Sequence, residues 1–150
     1  MNKNLTVRIA IPEDVSFISN TESTVFSDPW SSNSVHSLID DKHHTVFTAE
    51  NDGFPVGYAI VSSVAGESEL LRIATAPAMR RVGIGGALLD CVISSRTKAG
   101  DEIIYLEVRS TNSSAIGLYT SRGFETYATR RNYYRNPTED ATMMQLILCK

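Results

Sequence analysis

The segment Arg80-Arg81-Val82-Gly83-Ile84-Gly85-Gly86-Ala87 carries the residue types of an anion cradle. Glycines let a backbone approach a bound group closely, and the unpaired N–H groups of a first helical turn attract phosphate. Two familiar phosphate loops do not fit. A Walker loop needs Lys and then Ser or Thr after its last glycine, whereas Gly85 is followed by Gly86 and Ala87. A dinucleotide fingerprint beginning at Gly83 wants Gly or Ala at position 88, where Leu88 stands. Metal chemistry has less support still. His36, His43 and His44 fall in no ligand spacing and Cys91 and Cys149 form no C-x-x-C pair, so both cysteines read as reduced and structural and no metal is expected.

A loop of this kind has to be held between a strand and a helix, and the flanking periodicities supply both. Residues 68–75 read as a strand that Pro77 ends. From Val82 onward Ile84, Ala87, Leu88, Cys91, Val92 and Ser95 fall on one helical face, closed by Gly100. Upstream, residues 5–9 alternate as a strand, and Pro12-Glu13-Asp14 opens a helix with Val15 and Ile18 inward. Ser31 or Ser32 caps a second helix through Val35, Leu38 and Ile39. Residues 45–50 and 55–65 read as strands joined at Asn51-Asp52-Gly53, whose Asp-Gly pair suits a tight hairpin. Residues 103–109 return to period two, with Ile104, Leu106 and Val108 on one face and Ile103, Tyr105, Glu107 and Arg109 on the other. Asn112 caps a helix that Gly123 stops, and residues 124–130 and 142–148 form two last strands around the polar loop 136–140. The order β-α-α-β-β-β-α-β-α-β-β predicts an α/β fold: a mixed, twisted sheet of six or seven strands with helices on both faces, in a single domain over residues 1–150.

With 42% hydrophobic and 21% charged side chains, the 150 residues have the makeup of an ordinary globular domain. No apolar run approaches the ~20 residues of a transmembrane helix, and no apolar block follows Lys3, so the expectation is a cytoplasmic protein without membrane contact. The net charge of −3 argues against binding nucleic acid through its phosphates. The charge is uneven: residues 1–60 hold three bases and eight acids, residues 61–150 eleven bases and nine acids, which points to two different ligands. Arg130, Arg131 and Arg135 interleave with Tyr133 and Tyr134, a weak footprint for base stacking that reads better as a strand end or a substrate-binding lip. Trp30 after Pro29 is either a helix-entry staple or the wall of a ligand site.

What remains for the glycine loop is the pattern Arg/Gln-x-x-Gly-x-Gly/Ala, met by Arg80, Gly83 and Gly85. It resembles the pyrophosphate loop of the GCN5-related N-acetyltransferases. Glu69-Leu70-Leu71-Arg72-Ile73-Ala74-Thr75-Ala76-Pro77 is similar to that family's acetyl-CoA strand. Leu106-Glu107-Val108-Arg109, Asn112, Ala115, Leu118-Tyr119, Gly123-Phe124 and Arg130-Arg131-Asn132-Tyr133-Tyr134 resemble its branch that acetylates N-terminal alanines of ribosomal proteins, as does Phe26-Ser27-Asp28-Pro29-Trp30-Ser31. The resemblance runs from about residue 5 to residue 149, with two departures. Val82 stands where a polar or basic residue is usual, and Thr75 where Val is usual.

The resemblance implies that two strands splay to admit acetyl-CoA as cosubstrate. Backbone groups of Ile73, Ala74 and Thr75 would hold its pantetheine arm and thioester carbonyl. Those of Arg81, Val82, Gly83, Ile84, Gly85 and Gly86 would hold the pyrophosphate, and Asn112 would contact the cofactor besides capping its helix. Amine attack on a thioester needs a base for the amine proton and an acid for the leaving thiolate. Glu107 is the candidate base, against the plainer reading of an ion pair with Arg109 on the strand face. Tyr119 is the candidate acid, against the plainer reading of a core aromatic. The acceptor implied is a protein N-terminus, in first place an alanine-starting ribosomal protein of the small subunit. The alternatives are an enzyme of the same fold acting on a small amine or an internal lysine, and a module that binds acetyl-CoA without turnover.

Overall fold

Seven runs rich in apolar, β-branched and aromatic residues, most bounded by turn residues, pair into one sheet. The computed structural model describes residues 4–80 and 82–148 of the 150. Among them the strands are β1 (Leu5–Ile9), β2 (His44–Asn51), β3 (Phe54–Val64), β4 (Glu67–Thr75), β5 (Ile103–Arg109), β6 (Glu125–Tyr134) and β7 (Glu139–Ile147). They lie in the order β1-β2-β3-β4-β5-β7-β6, antiparallel throughout except for the parallel pair β4 and β5. Four helices complete the predicted order: α1 (Val15–Val25), α2 (Ser32–Ile39), α3 (Ile84–Lys98) and α4 (Ser113–Ser121).

Local chemistry sets most boundaries. Asp52 and Gly53 both take left-handed backbone, φ 53° and 83°, as a two-residue primed turn between β2 and β3 requires. Ala65 and Gly66 do the same between β3 and β4, at φ 53° and 85°. The Ser31 hydroxyl accepts from the Ser34 N–H at 3.2 Å and caps α2, and Asn112 Oδ1 accepts from the Ala115 N–H at 3.1 Å and caps α4. The helix expected to open at Pro12 begins instead as a 3-10 turn over Pro12–Asp14, with α1 proper starting at Val15.

β3 divides the interior. Tyr58 and Ile60 face Ile18 of α1 and Val35 of α2, while Ala59 and Val61 face Leu88, Leu89 and Val92 of α3 and, in the same cluster, Tyr119 of α4. Helices therefore cover both faces, as the element order predicts. Gly57 makes close packing of α3 possible. A Cβ there would sit 2.9 Å from the Ala74 carbonyl oxygen and 2.9 Å from Ile84 Cγ2.

Two expectations need correction at the C-terminal hairpin. β6 runs on to Tyr134 instead of ending at residue 130, and β7 starts at Glu139 instead of 142. The register breaks between Arg130 and Tyr134, where Asn132 takes φ 51° and gives its N–H to Asp140 Oδ1 at 2.9 Å. A bulge absorbs the polar residues that interrupt the alternation, and pairing resumes at Tyr134 with Glu139.

Candidate active site

The site starts with one extra residue in β4. Ile60 pairs with Arg72 and Val61 with Leu70, so Leu71 is a bulge. Leu70 faces the α3 core, and Ala74, four residues on, faces the α1 and α2 core; strict alternation would put both on one face. The bulge also marks the end of pairing with β5, which covers only Glu67–Leu70 against Ile103–Leu106. Beyond it β4 stays with β3, and β5 stays with β7 as far as Arg109 with Ala141, so a gap opens between them.

The gap has a polar edge. The Ala76 N–H donates to the Val56 carbonyl at 2.8 Å, and alternation along an antiparallel ladder then bonds Ala74 to Tyr58 and leaves Ile73 and Thr75 with N–H and C=O turned to the gap. Past β4 the chain enters α3 through Gly83, its N-cap, at φ 88°. Gly83 has no side chain to cap the helix, and its carbonyl first accepts from Ala87, so the N–H groups of Ile84, Gly85 and Gly86 have no backbone acceptor among the described residues. Val82 is 47% exposed at this end of α3, and Arg81 lies outside the described residues. A Cβ on Gly86 would sit 2.6 Å from Arg122 Nη2, and Arg122 pairs with Asp90 at 2.9 Å, so that glycine lets α4 lock onto α3.

On the α1 face of the gap lies a cleft of about 550 Å³, lined from β4, β5, the α1–α2 connection, the end of β6 and the β6–β7 turn. Glu107 projects into it, half-buried, with Oε2 buried and without a hydrogen-bond partner among the described residues. The ion pair with Arg109 does not form. Arg109 pairs with Glu139 at 3.4 Å, donates to the carbonyls of Pro137 and Arg135 and to the Ser27 hydroxyl, and lies 4.6 Å from the Tyr134 ring centre. It ties two walls of the cleft together. Hydrogen bonding to Glu107, then burial, holds the Tyr133 phenol above its ordinary value.

Tyr119 packs in the core on the α3 side, 6% exposed, with its ring 5.8 Å from that of Phe124. Burial, then the neighbouring Tyr134 phenol, pushes its pKa well up, so it stays protonated. Tyr134 lines the cleft; burial first and the Glu107 charge second push its phenol up to about 12. Glu107 thus opens directly on the cleft, while Tyr119 is not among the residues that line it. Asn112 is exposed and engaged as a helix cap.

The sequence reading misses the group that holds the α1–α2 connection. Glu22 is 0% exposed and accepts from the Tyr58 hydroxyl at 2.6 Å, the Trp30 N–H at 3.0 Å and Arg72 Nε at 3.2 Å. Arg72 also donates to the Asp28 carbonyl at 2.8 Å and lies 4.1 Å from the centre of the Phe26 ring. One signal was available: Glu22 falls one turn after Ile18, on the buried face of α1. Among the described residues no group of three His, Cys, Asp or Glu side chains could hold a metal, and no helix is long and apolar enough to cross a membrane. Cys91 is a free thiol on α3, away from the cleft, and Cys149 lies outside the described residues.

A model of the acetyltransferase (GNAT) family matches residues 15–124, which include β4, α3, β5 and α4. The chain belongs to that family. The [ribosomal protein bS18]-alanine N-acetyltransferase of Escherichia coli K12 is 38% identical over 122 residues, 79% of this chain and 80% of that one. The N-alpha-acetyltransferase RimI of Mycobacterium tuberculosis is 34% identical over 125 residues, covering 81% and 77%. The crystal structure of the E. coli ribosomal-protein-S18-alanine N-acetyltransferase superposes with a TM-score of 0.89 at 32% identity, over 97% of this chain and 95% of that one. The GNAT fold is shared as well by yncA of Salmonella typhimurium, solved with its cofactor acetyl-CoA, at a TM-score of 0.87 and 22% identity over 99% and 96% of the two chains.

Proposed function

We propose that this GNAT enzyme transfers acetyl from acetyl-CoA to the N-terminal α-amine of a protein, with an alanine-starting ribosomal protein of the small subunit as the first acceptor. The observation that carries the reading is the Glu107 carboxylate. It is half-buried in the cleft beside the gap, one oxygen has no partner, and the neighbouring arginine is committed to another acid. A carboxylate so placed is a proton acceptor waiting for a donor.

The outward main-chain groups of Ile73 and Thr75 suit the amide-rich pantetheine arm, and the open first turn of α3 after Gly83 suits a pyrophosphate. As the amine nitrogen bonds to the thioester carbon, Glu107 takes the amine proton, directly or through a water. As the carbon–sulfur bond breaks, Tyr119 gives its phenolic proton to the sulfur. Its high proton affinity keeps it in the donor form at neutral pH. An α-amine is the easier acceptor: with pKa values of ~7.8 and ~10.4, roughly a third of it is neutral at pH 7.5 against about one part in a thousand of a lysine. The eight acids against three bases of residues 1–60 suit a basic acceptor peptide.

The test is mass spectrometry of synthetic peptides and intact small-subunit ribosomal proteins after incubation with enzyme and acetyl-CoA. One acetyl on the terminal nitrogen is the expected product. Acetylation confined to internal lysines or small amines, or tight binding of acetyl-CoA with no acceptor modified, would overturn the assignment.

A further inference from the structure

Glu69 stands opposite Tyr105 in the parallel pair, with Glu107 the next β5 residue on the same face, so the two carboxylates are diagonal neighbours where the strands part. Glu69 also lines a second cleft of about 430 Å³, beside the β3–β4 hairpin, so it marks the junction of two hollows. Neither acid pairs with a cation among the described residues. Arg72 is taken by Glu22 and Asp28, Arg109 by Glu139, and Arg130 lies over the Tyr133 ring at 5.1 Å. The Glu69 side chain makes no hydrogen bond or ion pair among the described residues.

Two half-buried acids on one face without a counter-cation repel each other and lose hydration, a cost that a bound cation removes. We propose that Glu69 is a specificity-determining residue of the acceptor cleft, holding a positively charged group of the acceptor beside Glu107. The inference rests on the acceptor reading above and adds to it the charge that this cleft selects. Two groups on a peptide share that chemistry: its own α-ammonium, and a basic side chain on the residue that follows, which would point from the first hollow toward the second. Burial, with the Glu107 charge as the second cause, pushes the Glu69 carboxyl up. A cation arriving beside it would favour the ionised form.

The experiment compares wild type with Glu69→Gln on two acceptor peptides that differ only in carrying Lys or Ala at the second position. KM, kcat and acetyl-CoA affinity are measured, with melting temperature as a check on folding. Loss of one charged contact should raise KM roughly tenfold or more, with a smaller effect on kcat and none on acetyl-CoA affinity. A rise for both peptides assigns Glu69 to the α-ammonium; a rise confined to the Lys peptide assigns it to the side chain. Glu69→Lys, which adds repulsion, should raise KM further. Unchanged KM for both peptides in both variants, beside normal turnover by wild type, overturns the role of Glu69 alone. Wild type that acetylates no peptide overturns the acceptor reading and this inference with it.

Discussion

Glu107 and Arg109 share one face of β5 and do not pair. The arginine turns to Glu139 at 3.4 Å and to the main chain of the β6–β7 turn, while the glutamate keeps a buried oxygen unpartnered in the cleft. Opposite charges two residues apart on a strand are thus separated into a structural clamp and a carboxylate that pairs with no cation among the described residues.

Glu107→Gln should therefore keep its fold and its acetyl-CoA affinity while kcat falls by roughly 10²–10⁴-fold, the range for a positioned base. The deficit should shrink as rising pH supplies neutral amine. Steady-state rates across pH, beside calorimetric titration of the cofactor, check this. Near-normal turnover at pH 7 would leave Glu107 a wall of the cleft and no more.

Tyr119→Phe keeps the ring that packs on Phe124 and removes only the hydroxyl. The expected outcome is kcat lower by at least about tenfold at an unchanged melting temperature, given the size of general-acid effects. The sign of the pKa shift adds a second check. A phenol whose proton affinity is raised holds its proton beyond the ordinary titration of tyrosine near pH 10, so wild-type kcat should show no alkaline loss from this group below that pH. A loss centred lower would assign the proton to another donor.

Gly83→Val tests the cofactor cradle. At φ 88° a β-branched side chain is strained, and relaxing that strain turns away the first N–H groups of α3. Acetyl-CoA affinity should fall by at least an order of magnitude while circular dichroism stays native. Gly66→Val is the control: its φ of 85° carries comparable strain in the β3–β4 turn, far along β4 from the helix, and should cost stability without affinity. Equal affinities in the two variants would remove Gly83 from the cradle.

Glu22→Leu strips three donors, Tyr58, Trp30 and Arg72, of their shared acceptor in the interior. Breaking a buried pair by removing one partner costs about 3–5 kcal/mol. Thermal melts should show a large drop, and any soluble enzyme should show a raised acceptor KM as the Phe26–Trp30 wall loosens. A melting temperature near wild type would mean that Arg72 is held by Asp28 and Phe26 alone.

The glycine loop and the alternation of residues 103–109 were legible because each depends on neighbours in sequence: a positive φ before a helix, a period of two. The bulge at Leu71 was not. A run reading Leu-Leu-Arg-Ile-Ala looks like one continuous strand, and only pairing with β3 shows that a residue is skipped and that Arg72 lands on the α1 face. Glu22 hid for a related reason: a carboxylate on a helix reads as solvated until Tyr58 and Arg72 arrive from distant strands. β6 looked short because Arg130-Arg131-Asn132 breaks the alternation, and a bulge can be told from a strand end only by finding the partner strand. Gly57 gave no signal at all, since its role is to leave room for Ile84 and the Ala74 carbonyl.

Where β4 leaves β5, two bare strand edges face each other in the middle of a sheet, with a helical layer against each face. Such edges bind whatever can lie along them, and elsewhere that is a hazard of aggregation. Here the opening is a slot bounded by backbone, and its free N–H and C=O groups are the complement of an extended, amide-bearing chain. A feature that invites stacking of like chains at the outside of a sheet becomes, at its centre, a place for one guest strand-like arm.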